Sequence, residues 1–222
     1  MAIEVIAAVL VKSREDLMRR ISLVKGVVSA AQIDVMDNEF VPNKTIWPNE
    51  FGTLPGGIPY ELHWMVFNPE KWIIQVPGNH LHLVHIETVK DANHWNAIKQ
   101  AAKTAGGKLG LVINPPTPIE KLTPFIKDVS RVMVMGVNPG FSGQSFIPET
   151  ADKISAIAKR FPKIEIEVDG GVGIETGEKV SEAGADKLAA ASSIYAAPNL
   201  AQAVKEIKEA GIRGQKKRKV LA

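Results

Sequence analysis

The sequence predicts a single-domain α/β chain folded as an eight-stranded (β/α)8 barrel. Three observations carry that expectation. Short apolar, β-branched runs alternate with amphipathic segments along the chain, the pattern of parallel β/α units. Eight such runs are present, enough to close one barrel. The 222 residues, 45% of them hydrophobic, suffice for one sizeable core at the short end of the range for such a barrel.

Strands are expected near residues 4–10, 30–35, 60–65, 81–86, 109–114, 131–137, 164–169 and 187–192. Between them, Ser13 with Asp16 reads as a capping box ahead of LMRRISLV, and Pro148 opens a helix through PETADKISAIAKRF. Gly184 and Gly211 are expected helix stops. The pattern weakens after strands 2 and 3, where WPNEFGTLPGGIPY (47–60) holds three prolines and three glycines and KWIIQVPGNH (71–80) carries a Pro-Gly pair. Both outer helices should shrink to a turn or two. Trp47, Phe51 and Trp72 then patch the core edge or serve a subunit contact.

No apolar run approaches the roughly 20 residues of a membrane span, and MAIEVIAAVLV lacks a basic leader and a cleavage site, so it reads as a first buried strand. Without cysteine there is neither a disulfide nor a thiolate metal site. The cytoplasm is the expected compartment. The pI near 9.0 raises the question of a nucleic-acid partner. Five of the 27 basic side chains, Arg213, Lys216, Lys217, Arg218 and Lys219, fall in the last ten residues, leaving 22 against 24 acidic ones. The basicity therefore belongs to a tail, residues 213–222, expected to be disordered and dispensable beyond a barrel of residues 1–212. GQKKRKV resembles a nuclear-import signal or a contact for RNA or anionic lipid, but a solvated terminus is the plainer reading, so neither nucleic acid nor membrane is an expected partner.

Two strand-like runs each deliver an aspartate at their C-terminal end, AQIDVMD (31–37) and IEIEVDGG (164–171). Active sites of β/α barrels form at that end. A carboxylate at the mouth of a buried sheet is poorly hydrated, so its pKa can rise into the range where it exchanges protons with carbon. Two of them suggest a two-base enzyme. Downstream, NPGFSGQ (138–144), Gly170-Gly171 and Ala191-Ser192-Ser193 follow strands 6, 7 and 8. Their backbone N–H groups suit a phosphate. His80 and His82 share one strand face and His85 takes the other, which excludes a three-histidine zinc face.

IDVMDNEFVPN (33–43), LHWMV (62–66), VMGVNPGFSGQSFIPE (134–149) and EVDGGV (167–172), in that order, resemble the ribulose-phosphate 3-epimerase family, with similarity from about Val5 to Ala210. The resemblance implies a TIM barrel and an isomerase of pentose phosphate metabolism. Its reaction inverts C3 of D-ribulose 5-phosphate to D-xylulose 5-phosphate through an enediolate. By the same resemblance Asp34 and Asp169 are the acid/base pair. Asp34, His63, Asp169 and the Gln32 position hold a divalent metal (Zn, Fe, Mn or Mg). Met36, Met65 and Met135 lie over the reacting carbon, although methionine there is also ordinary core. His63, Gly140, Phe141, Ser142, Gly143, Gly170, Gly171, Ala191 and Ser192 bind the sugar phosphate. His85 matches a family histidine on strand 4. A homo-oligomer is expected.

Three positions depart from the family pattern. Gln32 replaces a metal-ligating histidine, and an amide oxygen is a weak, hard donor suited to manganese or magnesium, so metal should bind less tightly. Gln32 could instead simply hydrogen-bond Asp34 or substrate in a metal-free site. Ala8 replaces a substrate-contacting serine, a loss of about 0.5–1.5 kcal/mol if nothing compensates. Ala191 replaces a glycine beside the phosphate. These changes leave two alternatives open: an epimerase for another ketose phosphate, and a catalytically silent sugar-phosphate binding protein.

Overall fold

The computed structural model describes residues 2–221, with side chains as far as Arg218. Eight parallel strands, β1 (Glu4–Val9), β2 (Ala30–Met36), β3 (Tyr60–Met65), β4 (Leu81–His85), β5 (Lys108–Ile113), β6 (Arg131–Met135), β7 (Glu165–Asp169) and β8 (Lys187–Ala190), close in sequence order into one barrel. The expected strands and their order hold. Alternation sorts each strand's side chains: Ile33, Val35, Leu62, Trp64, Val132, Val134 and Val168 point outward into the main core, while residues of the opposite parity enter the barrel.

The outer layer consists of α1 (Arg14–Val24), α2 (Pro48–Phe51), α3 (Glu70–Ile73), α4 (Ala92–Ala105), α5 (Thr150–Arg160), α6 (Ile174–Ala183), α7 (Ser192–Tyr195) and α8 (Leu200–Leu221). Ser13 caps α1 by accepting the Asp16 N–H at 3.2 Å, Pro148 stands two residues ahead of α5, and Gly184 closes α6. α2 and α3 are single turns, as the proline and glycine content requires. Their flank is covered by buried Phe51 and by Trp47 packed on Trp72, with ring centroids 4.5 Å apart. Between β5 and β6 there are only 3-10 turns at Ile119–Leu122 and Ile126–Asp128; Pro115, Pro116, Pro118 and Pro124 deny that segment an α-helix.

Two expectations about the C-terminus are corrected. Gly211 does not end the last helix, and the boundary at 212 falls inside α8, which continues to Leu221. The described part of the tail is helical because Gly211 and Gly214 let α8 lie directly on α6, and because Arg213 and Lys217 pair with Glu178 while Arg218 pairs with Asp186. The side chains of Lys219 to Ala222 lie outside the described residues. Among the described residues no helix is long and apolar enough to cross a membrane.

At the N-terminal end of the barrel the interior is ionic. Arg131 pairs with Glu61, Glu165 and Glu167, and Lys187 pairs with Glu4. Above this layer Leu83, Val112, Met133 and Met135 form an apolar plug, which separates the charges below from the polar groups at the C-terminal mouth.

Candidate active site

Four inward-facing side chains converge at the mouth. β2 supplies Gln32 and Asp34, two residues apart and so on one face; β3 supplies His63, in register with Asp34; β7 supplies Asp169 at its last position. Gln32 and His63 are fully buried, and Asp34 and Asp169 are 5% and 9% exposed. One ligand atom from each of Asp34, His63 and Asp169 lies within 4.8 Å of the others. His63 Nδ1 is 3.0 Å from Asp34 Oδ1 and 3.4 Å from Asp169 Oδ2. The Gln32 amide donates to Asp34 Oδ1 at 3.0 Å and to Asp169 Oδ2 at 2.8 Å.

Burial pushes the Asp34 carboxyl above the ordinary aspartate range, against the hydrogen bond from His63 and with the charge of Asp169. For His63 burial works against the cation, but the hydrogen bonds to Asp169 and Asp34 outweigh it and hold the imidazole up at about 9. Two carboxylates and one imidazole thus share a dry site in which a positive charge is strongly favoured.

A divalent metal fits this donor set. Three ligand atoms already face a common centre, and the Gln32 oxygen Oε1 is buried without a partner. Turning that amide over would bring its oxygen towards the carboxylates, as a fourth ligand atom for an ion held there.

One pocket lies above the cluster. Its lining includes Ala8, Asp34, His63 and Asp169, the three methionines Met36, Met65 and Met135, and the loop residues Gly140, Phe141, Ser142, Gly143, Gly170, Gly171, Ala191 and Ser192. The structure therefore gathers every site residue expected from the sequence around one cavity, with Gln32 beneath its floor. Gly170 and Gly171 adopt φ of 102° and 67°, and a Cβ at 171 would strike the backbone of Phe146, so glycine is required in that turn. Ala191 has φ −113°, outside the left-handed region that favours glycine. His80 and His82 take no part: His82 is buried and accepts the Trp64 indole N–H at 3.1 Å.

Residues 4–195 match the ribulose-phosphate 3 epimerase family. This chain belongs to that family. The ribulose-phosphate 3-epimerase cytoplasmic isoform of Oryza sativa subsp. japonica is 35% identical over 184 residues, 80% of each chain. The ribulose-phosphate 3-epimerase of Bacillus subtilis (strain 168) is 36% identical over 193 residues, 83% of this chain and 88% of that one. Among solved structures, 3-hexulose-6-phosphate synthase from Salmonella typhimurium superposes with a TM-score of 0.70 at 15% identity, covering 96% of this chain and all of that one, a likeness of fold. As an epimerase-family enzyme the chain is an isomerase, with the barrel and the buried Asp-His-Asp group in place.

Some site residues escaped the sequence reading. Glu87, just past β4, hydrogen-bonds the inward-facing His85, which in turn reaches His63. Asn43 donates to the Gly140 carbonyl at 2.7 Å, and Gln144 donates to the carbonyls of Asn138 and Phe141, so the loop after β6 is tied to the loop after β2. Glu87 stands in the 3-10 turn Ile86–Thr88 just past the end of β4, so strand alternation gives no signal for it.

Proposed function

We propose that this enzyme inverts C3 of a ketose phosphate, with D-ribulose 5-phosphate and D-xylulose 5-phosphate as the exchanging pair. The observation that carries the reading is the convergence of two buried carboxylates, from β2 and β7, on one pocket flanked by glycine loops. Between those strands lie β1 and β8, so Asp34 and Asp169 reach the pocket from separate sides. One carboxylate takes the C3 proton and leaves an enediolate; the other carboxyl returns a proton to the opposite face. On the return reaction the two exchange roles.

Asp34, His63 and Asp169, with the Gln32 oxygen turned inward, are the residues that would hold a divalent cation. When bound it supplies Lewis acidity beside the carbonyl carbon. Met36, Met65 and Met135 exclude water from the charged intermediate. Backbone N–H groups around Gly140–Gly143, Gly170–Gly171 and Ala191–Ser192 support binding of the phosphate. Gln32 as an oxygen donor favours manganese or magnesium over zinc. A cytoplasmic location has the support of the rice relative's name.

A second substrate is favoured by one observation: Ala8 lines the pocket and brings no hydroxyl to the sugar. Deuterium incorporation at C3 from heavy water, followed across pentulose and hexulose phosphates, tests both readings. Exchange fastest on ribulose 5-phosphate is expected. Exchange fastest on another ketose phosphate moves the assignment to that sugar, and binding with no exchange on any of them leaves a sugar-phosphate binding protein.

A further inference from the structure

A hydrogen-bonded chain runs outward from the two aspartates. His63 Nε2 is 2.9 Å from His85 Nε2, and His85 Nδ1 is 3.2 Å from Glu87 Oε2. The other Glu87 oxygen accepts the Asn114 N–H at 2.9 Å. Both rings are fully buried, and their centroids lie 5.0 Å apart with planes 20° from parallel. That centroid distance, with the nitrogens 2.9 Å apart, sets the rings nearly end to end, the geometry of an N–H···N bond.

The direction of each bond follows from counting protons. Glu87 receives the Asn114 N–H and a hydrogen bond from Thr117, so its carboxylate acts as an acceptor throughout. His85 must then carry its proton on Nδ1. Of the two rings His63 faces two carboxylates and His85 one, which leaves His85 as the neutral ring with a bare Nε2. That bare nitrogen can only accept, so His63 Nε2 must be the donor. We propose that Glu87 and His85 are positioning residues that keep the His63 proton on Nε2 and so present Nδ1 to the Asp34–Asp169 pair. The inference rests on the epimerase reading for its purpose. The ring polarity itself depends only on the bonds above. With a cation present, Nδ1 offers its lone pair; without one, Nδ1 takes a second proton and donates to Asp34. A carboxylate that fixes a ligand histidine through its remote nitrogen is a general device at metal centres, and here a second imidazole extends its reach.

Glu87→Gln reverses the chain. The Asn114 N–H retains an oxygen at its side, so the new NH2 faces His85 Nδ1 and donates to it. His85 then holds its proton on Nε2, His63 Nε2 becomes the acceptor, and the single His63 proton moves to Nδ1, where no lone pair remains for a metal.

The test uses full-length protein labelled with 15N-histidine, first stripped of metal and then titrated with zinc. In the parent, His63 Nε2 should be protonated in both states. In Glu87→Gln it should be bare, with zinc affinity lower by about 10- to 100-fold, kcat lower and KM little changed. Glu87→Asp, which keeps the acceptor, should recover part of the zinc affinity. A bare Nε2 in the parent overturns the proposal even if the variants fail to fold, as does a folded Glu87→Gln with a protonated Nε2 and unchanged zinc affinity. Absence of C3 exchange in the parent would instead count against the epimerase reading, since the nitrogen spectrum is read without substrate.

Discussion

Gln32 and Asp169 meet across the barrel mouth, the amide nitrogen of one donating to the carboxylate of the other at 2.8 Å. The same nitrogen donates to Asp34, so two buried carboxylates that would otherwise repel are bridged by a neutral group. An imidazole at position 32 would be a far better zinc ligand.

Gln32→His is therefore expected to raise zinc content and epimerase turnover together. A zinc affinity at least tenfold tighter corresponds to about 1.4 kcal/mol, well within the reach of one added ligand. Metal analysis of the purified variant beside C3 exchange rates checks both. Full zinc occupancy without exchange on any ketose phosphate would favour the binding-protein alternative.

Asp169→Asn should lower interconversion of the two epimers by about 10²- to 10⁴-fold, the usual worth of a general acid or base. Asp34 would still reach one face of C3. Residual deuterium uptake should consequently appear in one epimer alone, and Asp34→Asn should show it in the other. NMR of recovered sugar phosphate separates the two, and equal uptake into both epimers in either variant would argue against one base per face.

Much of the site was legible because a strand alternates strictly. Asp34, His63 and Asp169 lie within the last three residues of strands whose outward neighbours are plainly apolar, so their inward course was fixed by parity. The bond from Gln32 to Asp34 was one of two expected readings, but its second bond, to Asp169, was not legible, since an amide donates or accepts equally well and only the positions of both carboxylates decide between them. Glu87 lies beyond the strand in a 3-10 turn, where alternation stops being a guide. The absence of an α-helix between β5 and β6 is legible in Pro115, Pro116, Pro118 and Pro124, against the repeating β/α pattern. The C-terminal helix was misread for a simple reason: its contact is made by the absence of side chains at Gly211 and Gly214, which a hydrophobicity pattern records as breaks.

The ionic layer at the bottom of the barrel should govern the pH dependence of stability. Burial raises the Glu167 carboxyl well above its usual range, the Glu61 charge adds to this, and Arg131 only partly opposes it. Burial also raises Glu61, with Arg131 opposing it. Each leaves an oxygen unpartnered, Glu61 Oε2 and Glu167 Oε1, which one shared proton would satisfy. A carboxyl with a raised folded-state pKa stabilises fully below the unfolded value and loses that contribution as pH climbs through the folded one. Glu167→Gln removes this titration while its amide oxygen can still accept from Arg131. The variant should gain in melting temperature relative to the parent as pH goes from 4.5 to 8, and a gap that stays constant would mean that the folded protein holds Glu167 ionised.

The last prediction concerns α8, which was expected to end near Gly211 and instead continues along α6. A Cβ built on Gly214 would collide with the Glu178 carbonyl and lie 2.8 Å from the Glu182 nitrogen, both of them α6 backbone. One turn earlier, a Cβ on Gly211 would lie 2.8 Å from Ile3 and 2.9 Å from Leu188. The two helices are therefore in backbone contact, and this seam also covers the start of the barrel. The ion pairs of Glu178 with Arg213 and Lys217 lie near the surface and add little by themselves. Gly214→Ala should force the helices apart at a cost of about 1–3 kcal/mol, the range for overpacking a tight contact. At about 2–4 °C per kcal/mol for a chain of this size, melting should fall by several degrees. Truncation after Ala210 strips the same cover from α6 and Ile3 and should cost at least as much, while C3 exchange at low temperature persists because the pocket lies at the opposite end of the strands. Truncated protein that melts with the parent would return the tail to the dispensable role its charge suggested.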